Sequence, residues 1–395
     1  MAAGAQPFLG VNYGELADNL PPPEATARLL QSTTFSKLRL YGADPGIIKS
    51  LAGTGIALIL GISNADIPGL AGDPNAASSW VSSNILPFAP ATSISAVSVG
   101  NEVLNSGDPS LPSLLLPAMK NLRAALAASP ATAAIKVTTV HSMAVLSQSD
   151  PPSSGAFHAD LSPALVPILQ FLHDNGYPFM INPYPYFAYR SDPRPETLAF
   201  CLFQPNPGRV DQGSGITYSN MFDAQVDATR VALRVVGFPG TEVVVAETGW
   251  PDRGDDGDVG ASVENAKAYN GNLVSHLRSM VSPVETYLFA LYDEDLKPGP
   301  TSERSFGLFR PDLTPAYDAG LLRSPSISTS PALPAETLKP EGECAAGLGG
   351  AECRQPVVQL LPGAASGVIC WRLAGRDACC LLGLTILVLA KLISE

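Results

Sequence analysis

The 395-residue sequence predicts an α/β fold: a closed (β/α)8 TIM barrel followed by a disordered C-terminal tail. Three observations point there. Eight short apolar runs recur through the first part of the chain, each followed by a helix-compatible stretch long enough for a right-handed crossover. The runs are almost wholly hydrophobic rather than alternating, as in parallel strands covered on both faces. The composition changes beyond residue 322, which leaves a body of the size usual for one such barrel, roughly 250–320 residues.

In order, the expected strands are 8–14, 37–42, 57–62, 94–103, 135–143, 178–187, 242–251 and 284–294. Between them, 22–31, 73–86, 114–128, 164–175, 219–236 and 261–281 mix apolar and polar residues at helical spacing. A doubly wound open sheet is the competing arrangement. It usually carries a glycine-rich phosphate loop after its first strand, and none is found. The barrel domain is therefore assigned to 8–322. Residues 323–377 read as a linker and low-order tail; 323–341 are rich in Pro, Ser and Thr, with too little apolar surface to fold.

The C-terminal segment 378–395 contains the apolar run ACCLLGLTILVLA, preceded by small residues at 363–367 and a ten-residue spacer. That is the pattern of a GPI-attachment signal, and thirteen residues are too few to span a bilayer, which takes about 20. Arg372, Arg376, Lys391 and Glu395 do not suit such a signal, so a wrongly assigned final exon stays open as the other reading. Residues 1–7 are too short to hold a signal peptide. Either the protein is cytosolic or the sequence lacks its leader.

Lys+Arg 24 against Asp+Glu 36 gives a net charge of −12, with no basic run. Such a surface repels phosphates, which argues against nucleic acid, whereas an uncharged polysaccharide meets no such penalty. Only Cys201 of six cysteines precedes residue 340, so the body has no disulfide framework. His141, His158, His173 and His276 lack metal-ligand spacing and read as structural or surface residues. No metal or nucleotide cofactor is indicated.

In a barrel of this type the working residues lie at the C-terminal ends of the strands. The fourth run ends VSVGNE, at Glu102, and the seventh contains VVVAETGWP, with Glu247. A carboxylate at the end of an apolar strand is costly to bury without a partner. Two of them facing each other across the barrel mouth, about 5–5.5 Å apart, suit a retaining glycosidase, in which one protonates the leaving oxygen and the other attacks the anomeric carbon.

The stretches LGVNYG, ADNLPPP, KLRLYG, VGNE, INPYPYF, VVVAETGWP and FGLF resemble the plant endo-1,3-β-glucanases of glycoside hydrolase family 17, from about residue 9 to 322. The resemblance implies retention of configuration, with Glu102 as acid/base and Glu247 as nucleophile. Asn101 can hydrogen-bond a sugar 2-hydroxyl, and Tyr184 can donate to the nucleophile and favour its charged form. Glu294, Lys297 and Glu303 match a Glu–Lys–Glu cluster of the family near the acid, where a neighbouring Glu is expected to disfavour ionisation of the acid. Of the strand-end aromatics, Tyr41 and Phe187 are assigned to sugar subsites; Tyr189, Trp250, Phe289, Tyr292 and Phe306 are left to the core. One departure from the family pattern is Pro251-Asp252-Arg253-Gly254, since the family usually has Ser or Thr after the Pro. Altered loop contacts, not lost catalysis, are expected from it.

The substrate implied is β-1,3-glucan, hydrolysed by a monomer without a cofactor. The resemblance also implies a secreted, cell-wall protein, which the C-terminal pattern would anchor to the plasma membrane. A mixed-linkage 1,3;1,4-β-glucanase uses the same scaffold and catalytic pair. A weakly active glucan-binding wall protein and a membrane protein with a vestigial barrel are the readings from other classes. Transglycosylation remains open, because a sugar hydroxyl can intercept a glycosyl-enzyme.

Overall fold

A computed structural model describes residues 6–323, 368–373 and 376–381. Eight parallel strands close into a barrel in the order β1-β8-β7-β6-β5-β4-β3-β2. They are β1 (Gln6–Tyr13), β2 (Phe35–Leu40), β3 (Ala57–Ile62), β4 (Ser93–Asn101), β5 (Lys136–Ser142), β6 (Phe179–Asn182), β7 (Val243–Thr248) and β8 (Thr286–Leu288). The expected (β/α)8 architecture is thus observed. The tail's Val368–Leu373 and Arg376–Leu381 pair as an antiparallel hairpin. The rest of the expected linker, and the anchor segment from residue 382 onward, lie outside the described residues.

Helices with Pro or a capping side chain at their start link the strands. They are α1 (Pro23–Ser32), α2 (Pro45–Ser50), α3 (Ile67–Gly72), α4 (Pro74–Asn84), α5 (Leu111–Ala127), α6 (Ser162–Asn175), α7 (Pro185–Ser191), α8 (Pro195–Cys201), α9 (Met221–Val235) and α10 (Val263–Ser279). Asp44, Asp73, Asn220 and Ser262 each accept a backbone N–H at a helix start, where those donors have no partner within the helix. Six of the ten match the expected helices to within about three residues.

The sixth strand departs most from expectation. The apolar run continues to Phe187, but β6 stops at Asn182 and α7 begins at Pro185. Pro183 has no N–H to give a strand neighbour, and Pro185 has the φ a first helical turn requires. Proline chemistry here overrides hydrophobicity.

Two apolar layers hold the barrel together. The larger lies between strands and helices, and includes Leu9, Val11, Leu38, Leu58, Leu60, Val97 and Val243. A separate cluster of Ile59, Ala96, Val140, Met180, Val244, Ala246 and Tyr287 draws on the opposite faces of the strands and fills the barrel interior. Gly10 is required beside it, because a Cβ there would lie 2.4 Å from the Tyr287 ring.

Buried His141 on β5 stacks on Phe179 at 4.7 Å, and neither ring nitrogen has a hydrogen-bond partner among the described residues. Burial pushes its pKa down to about 3. An unfolded histidine titrates near pH 6.5, so between about pH 6.5 and 3 the unfolded chain binds a proton that the folded chain refuses. Stability is therefore expected to fall on acidification through that window, by up to about 1.4 kcal/mol per pH unit from this group. His141→Leu should flatten that part of a plot of Tm against pH. An unchanged slope would refute the assignment.

Among the described residues no helix is long and apolar enough to cross a membrane.

Candidate active site

Gly100, Asn101 and Glu102 turn the chain sharply at the end of β4. Gly100 has φ +71°, and a Cβ there would lie 2.4 Å from Val103. Glu102 is left-handed itself, at φ 54° and ψ 33°, a conformation that costs a non-glycine residue of order 1 kcal/mol or more. Three hydrogen bonds hold it. The Glu102 N–H donates to the Val140 carbonyl at 2.8 Å, and the Asn64 side chain both accepts from the Asn101 N–H at 2.8 Å and donates to its carbonyl at 3.0 Å. The turn aims the carboxyl at Asn182 on β6, whose Nδ2 donates to Glu102 Oε1 at 2.7 Å. Burial, and then the charge of Glu247, raise the Glu102 pKa above the ordinary value.

Glu247 lies within β7 and is buried. Strict alternation would send it to the helix side with Val243 and Val245. A register irregularity between Val245 and Thr248 breaks the alternation, and the side chain meets Arg39 and Tyr41 of the opposite barrel wall instead. Three donors converge on it. Arg39 Nη1 and the Tyr41 hydroxyl each lie 2.7 Å from Oε1, and the Tyr184 hydroxyl lies 3.0 Å from Oε2. Burial, then the Glu247 charge, pushes both phenols well above their ordinary pKa. Each keeps its proton and donates.

Arg39 organises this wall. It is 1% exposed, and besides Glu247 it donates from Nη1 to Asn12 Oδ1 at 3.1 Å and from Nη2 to Asn101 Oδ1 at 2.9 Å. Asn12 in turn donates to the Ala246 carbonyl at 3.1 Å. One guanidinium thus links the ends of β1, β2, β4 and β7.

The residues anticipated from sequence are brought together with some changes of part. Asn101 faces Arg39, and Tyr184 meets Glu247 as expected. The Tyr41 hydroxyl donates to Glu247, and the Arg39 guanidinium lies 4.5 Å from its ring centroid, over one face. Phe187 stays exposed at 39%, its ring 5.3 Å from that of Tyr184. Lys297 pairs with Glu303 at 3.4 Å and lies 4.6 Å from the Phe289 ring centroid. Glu294 is buried, accepts the Leu16 N–H at 3.2 Å, and occupies space that any Cβ on Gly14 would invade at 2.1 Å.

The like charge that most disfavours ionisation of Glu102 is Glu247, not a member of the 294–303 cluster; Lys297 acts in the opposite sense. Tyr189, Trp250, Phe289, Tyr292 and Phe306 are buried, and the Trp250 indole N–H donates to the Gly260 carbonyl at 2.8 Å. Asp252 is buried too. Its backbone N–H donates to the Ser305 carbonyl at 2.8 Å, and its Oδ1 lies 3.6 Å from Arg253 Nε.

Arg39, Asn12 and Asn182 were not singled out from the sequence. Arg39 had a readable signal, since a lone charge inside an apolar strand must find a buried partner. The two asparagines had none beyond their positions in strand-end motifs. Together these groups give two carboxyls in unlike settings, one matched to a cation and two phenols, the other held by a single amide. Such asymmetry separates a nucleophile from an acid.

Residues 9–320 match the family model for glycosyl hydrolases family 17. Glucan endo-1,3-beta-glucosidase 7 of Arabidopsis thaliana is 63% identical over 334 residues, covering 83% of this chain and 66% of that protein. A glucan endo-1,3-beta-D-glucosidase of Olea europaea is 56% identical, over 86% of this chain and 76% of that protein. The chain thus spans about two thirds to three quarters of their length. The solved structure of CJP38, a β-1,3-glucanase and allergen of Cryptomeria japonica pollen, superposes with a TM-score of 0.74 at 40% identity, over 79% of this chain and 98% of that one. The family model spans the barrel, these relatives share most of the chain and the fold superposes, and the chain belongs to glycosyl hydrolases family 17.

Proposed function

We propose that the protein hydrolyses internal β-1,3-glucosidic linkages of β-1,3-glucan with retention of configuration, with Glu247 as nucleophile and Glu102 as acid/base. The unequal surroundings of the two carboxyls carry this reading. Arg39 balances the charge of Glu247, while Tyr41 and Tyr184 orient its oxygens. Glu102, its ionisation opposed by burial and by Glu247, is suited to keep a proton for the departing glycosidic oxygen. A Glu247 oxygen bonds to the anomeric carbon as the glycosidic C–O bond breaks and Glu102 transfers its proton to the leaving hydroxyl. Water, deprotonated by Glu102, then displaces Glu247 from the same face the leaving group vacated. The names of the relatives support β-1,3-glucan as substrate.

Proton NMR of fresh product decides the stereochemistry: a β-anomer first is expected, and an α-anomer would overturn the mechanism. Product profiles on laminarin and on mixed-linkage 1,3;1,4-β-glucan decide the linkage. Preferential cleavage of the mixed polymer would overturn the β-1,3 assignment. Acting on a wall polymer, the enzyme is expected outside the cell. Release of the native protein from membranes by a phosphatidylinositol-specific phospholipase would support the lipid anchor, and membrane retention after treatment would exclude it.

Asn182→Ala removes an N–H that favours ionised Glu102, so the Glu102 pKa should rise. Since the acid must enter protonated, the basic limb of the kcat/KM profile is expected to move to higher pH. A limb that stays in place would show that Asn182 does not act through Glu102.

A further inference from the structure

A cavity of about 330 Å³ lies beside the barrel mouth, and none of the candidate catalytic residues lines it. It is bounded by residues 149–152, the α7–α8 segment, the short hairpin of Arg209–Val210 with Thr217–Tyr218, and α9. Its walls are tied to one another. Asp211 accepts from the Ser153 N–H at 2.7 Å and the Ser153 hydroxyl at 2.5 Å, which joins the hairpin to the 150–154 loop. The Tyr218 hydroxyl donates to Asp227 on α9 at 3.1 Å, and Arg209 Nη2 donates to Thr197 on α8 at 3.0 Å. A cavity braced by polar contacts on three sides is preformed, so a ligand entering it meets little ordering cost.

Its chemistry is mixed. The Arg209 guanidinium lies 4.5 Å from the centroid of the buried Phe200 ring. Its Nε and Nη1 make no hydrogen bond among the described residues, so their three N–H donors remain available. The exposed Asp150 carboxylate likewise has no partner among the described residues. Met221 and Ala224 add apolar lining, and Phe200 lies buried beneath the Arg209 guanidinium. An anion would meet Asp150, Asp192 and Asp211 on a chain of net charge −12, and a cation would meet Arg209. A neutral ring bearing hydroxyls uses both the donors and the acceptors, and lays its C–H face against Met221 and Ala224. The volume lies at the small end of the roughly 300–1,000 Å³ usual for ligand sites, which suits a terminal or protruding sugar unit and not a long chain segment.

We propose that this cavity is a secondary site for one glucosyl unit of the same polymer, holding the glucan beside the cleft in which it is cut. The proposal rests on the β-1,3-glucan reading above. Two linked contacts raise retention on a polymer but do nothing for an oligomer that reaches only the cleft. Retention is measured by depletion onto insoluble linear β-1,3-glucan in a Glu247→Gln background, and turnover on laminaripentaose with Glu247 intact. Arg209→Met should weaken retention about ten-fold, the loss of one charge-assisted contact, and leave kcat/KM on laminaripentaose unchanged. Asp150→Ala, at an exposed side chain without partners, should weaken retention in the same sense and decides the matter if Arg209→Met does not fold. Unchanged retention in a folded variant would overturn the site, as would an equal loss in both readouts. Wild-type protein that neither binds the glucan nor cleaves the pentaose would instead overturn the functional reading beneath it.

Discussion

Glu247→Gln is expected to fold normally and to lose turnover on β-1,3-glucan by on the order of 10⁴-fold or more, the scale of losing a covalent nucleophile. Glutamine preserves the shape; its amide oxygen, placed at Oε1, still accepts from Arg39 and Tyr41 while its NH2 faces the Tyr184 hydroxyl oxygen, so the barrel has no reason to yield. A chemical complement separates the two carboxyls. On a substrate whose leaving group needs no protonation, Glu247→Ala with azide should yield the α-glycosyl azide, because azide takes the vacated position of the nucleophile. Glu102→Ala with azide should yield the β-azide, formed by attack on the glycosyl-enzyme from the opposite face. Reversed products would exchange the two roles. Substantial turnover by folded Glu247→Gln would remove Glu247 from the mechanism.

Arg39→Met should cost both stability and rate. The guanidinium is paired with Glu247 at 2.7 Å, and removing one partner of a buried pair costs about 3–5 kcal/mol because the other charge is left uncompensated. In a barrel of this size that is a fall in Tm on the order of 10 °C. Asn12, Asn101 and Glu247 also lose their common donor. Misplacement of a catalytic carboxylate then lowers kcat on the order of 100-fold. Arg39→Lys is the informative control. A single ammonium keeps the charge but cannot span three acceptors on separate strands, so Tm should recover more than kcat. Wild-type kcat in folded Arg39→Met would show that the linkage is structural only.

The barrel was legible because hydrophobic runs of strand length alternated with helical stretches eight times over, and no open sheet needs that pattern. Glu102 and Glu247 were legible for a related reason: each is a charge at the end of an apolar strand. Tyr184 was legible as a donor within a strand-end motif. Arg39 carried the same kind of signal as the glutamates and was passed over. The end of β6 was misplaced by following hydrophobicity past Pro183, where the missing N–H decides.

By itself the sequence determined the strand–helix alternation, the two carboxylates, and their membership of one family of motifs, all of which depend on residue type and spacing along the chain. Only the tertiary structure decided which groups those carboxylates meet. Asn12, Arg39, Asn182 and Glu247 lie as far as 235 positions apart along the chain yet share one barrel mouth, because closure of the sheet brings β1 beside β8 and β2 across from β7. The inward turn of Glu247 depends on a register irregularity between β7 and β8 that no local pattern in VVVAETGWP encodes. Tyr41 meets Glu247 for the same reason. A hydroxyl finds its acceptor through the packing of distant strands, and period and composition carry no information about that contact.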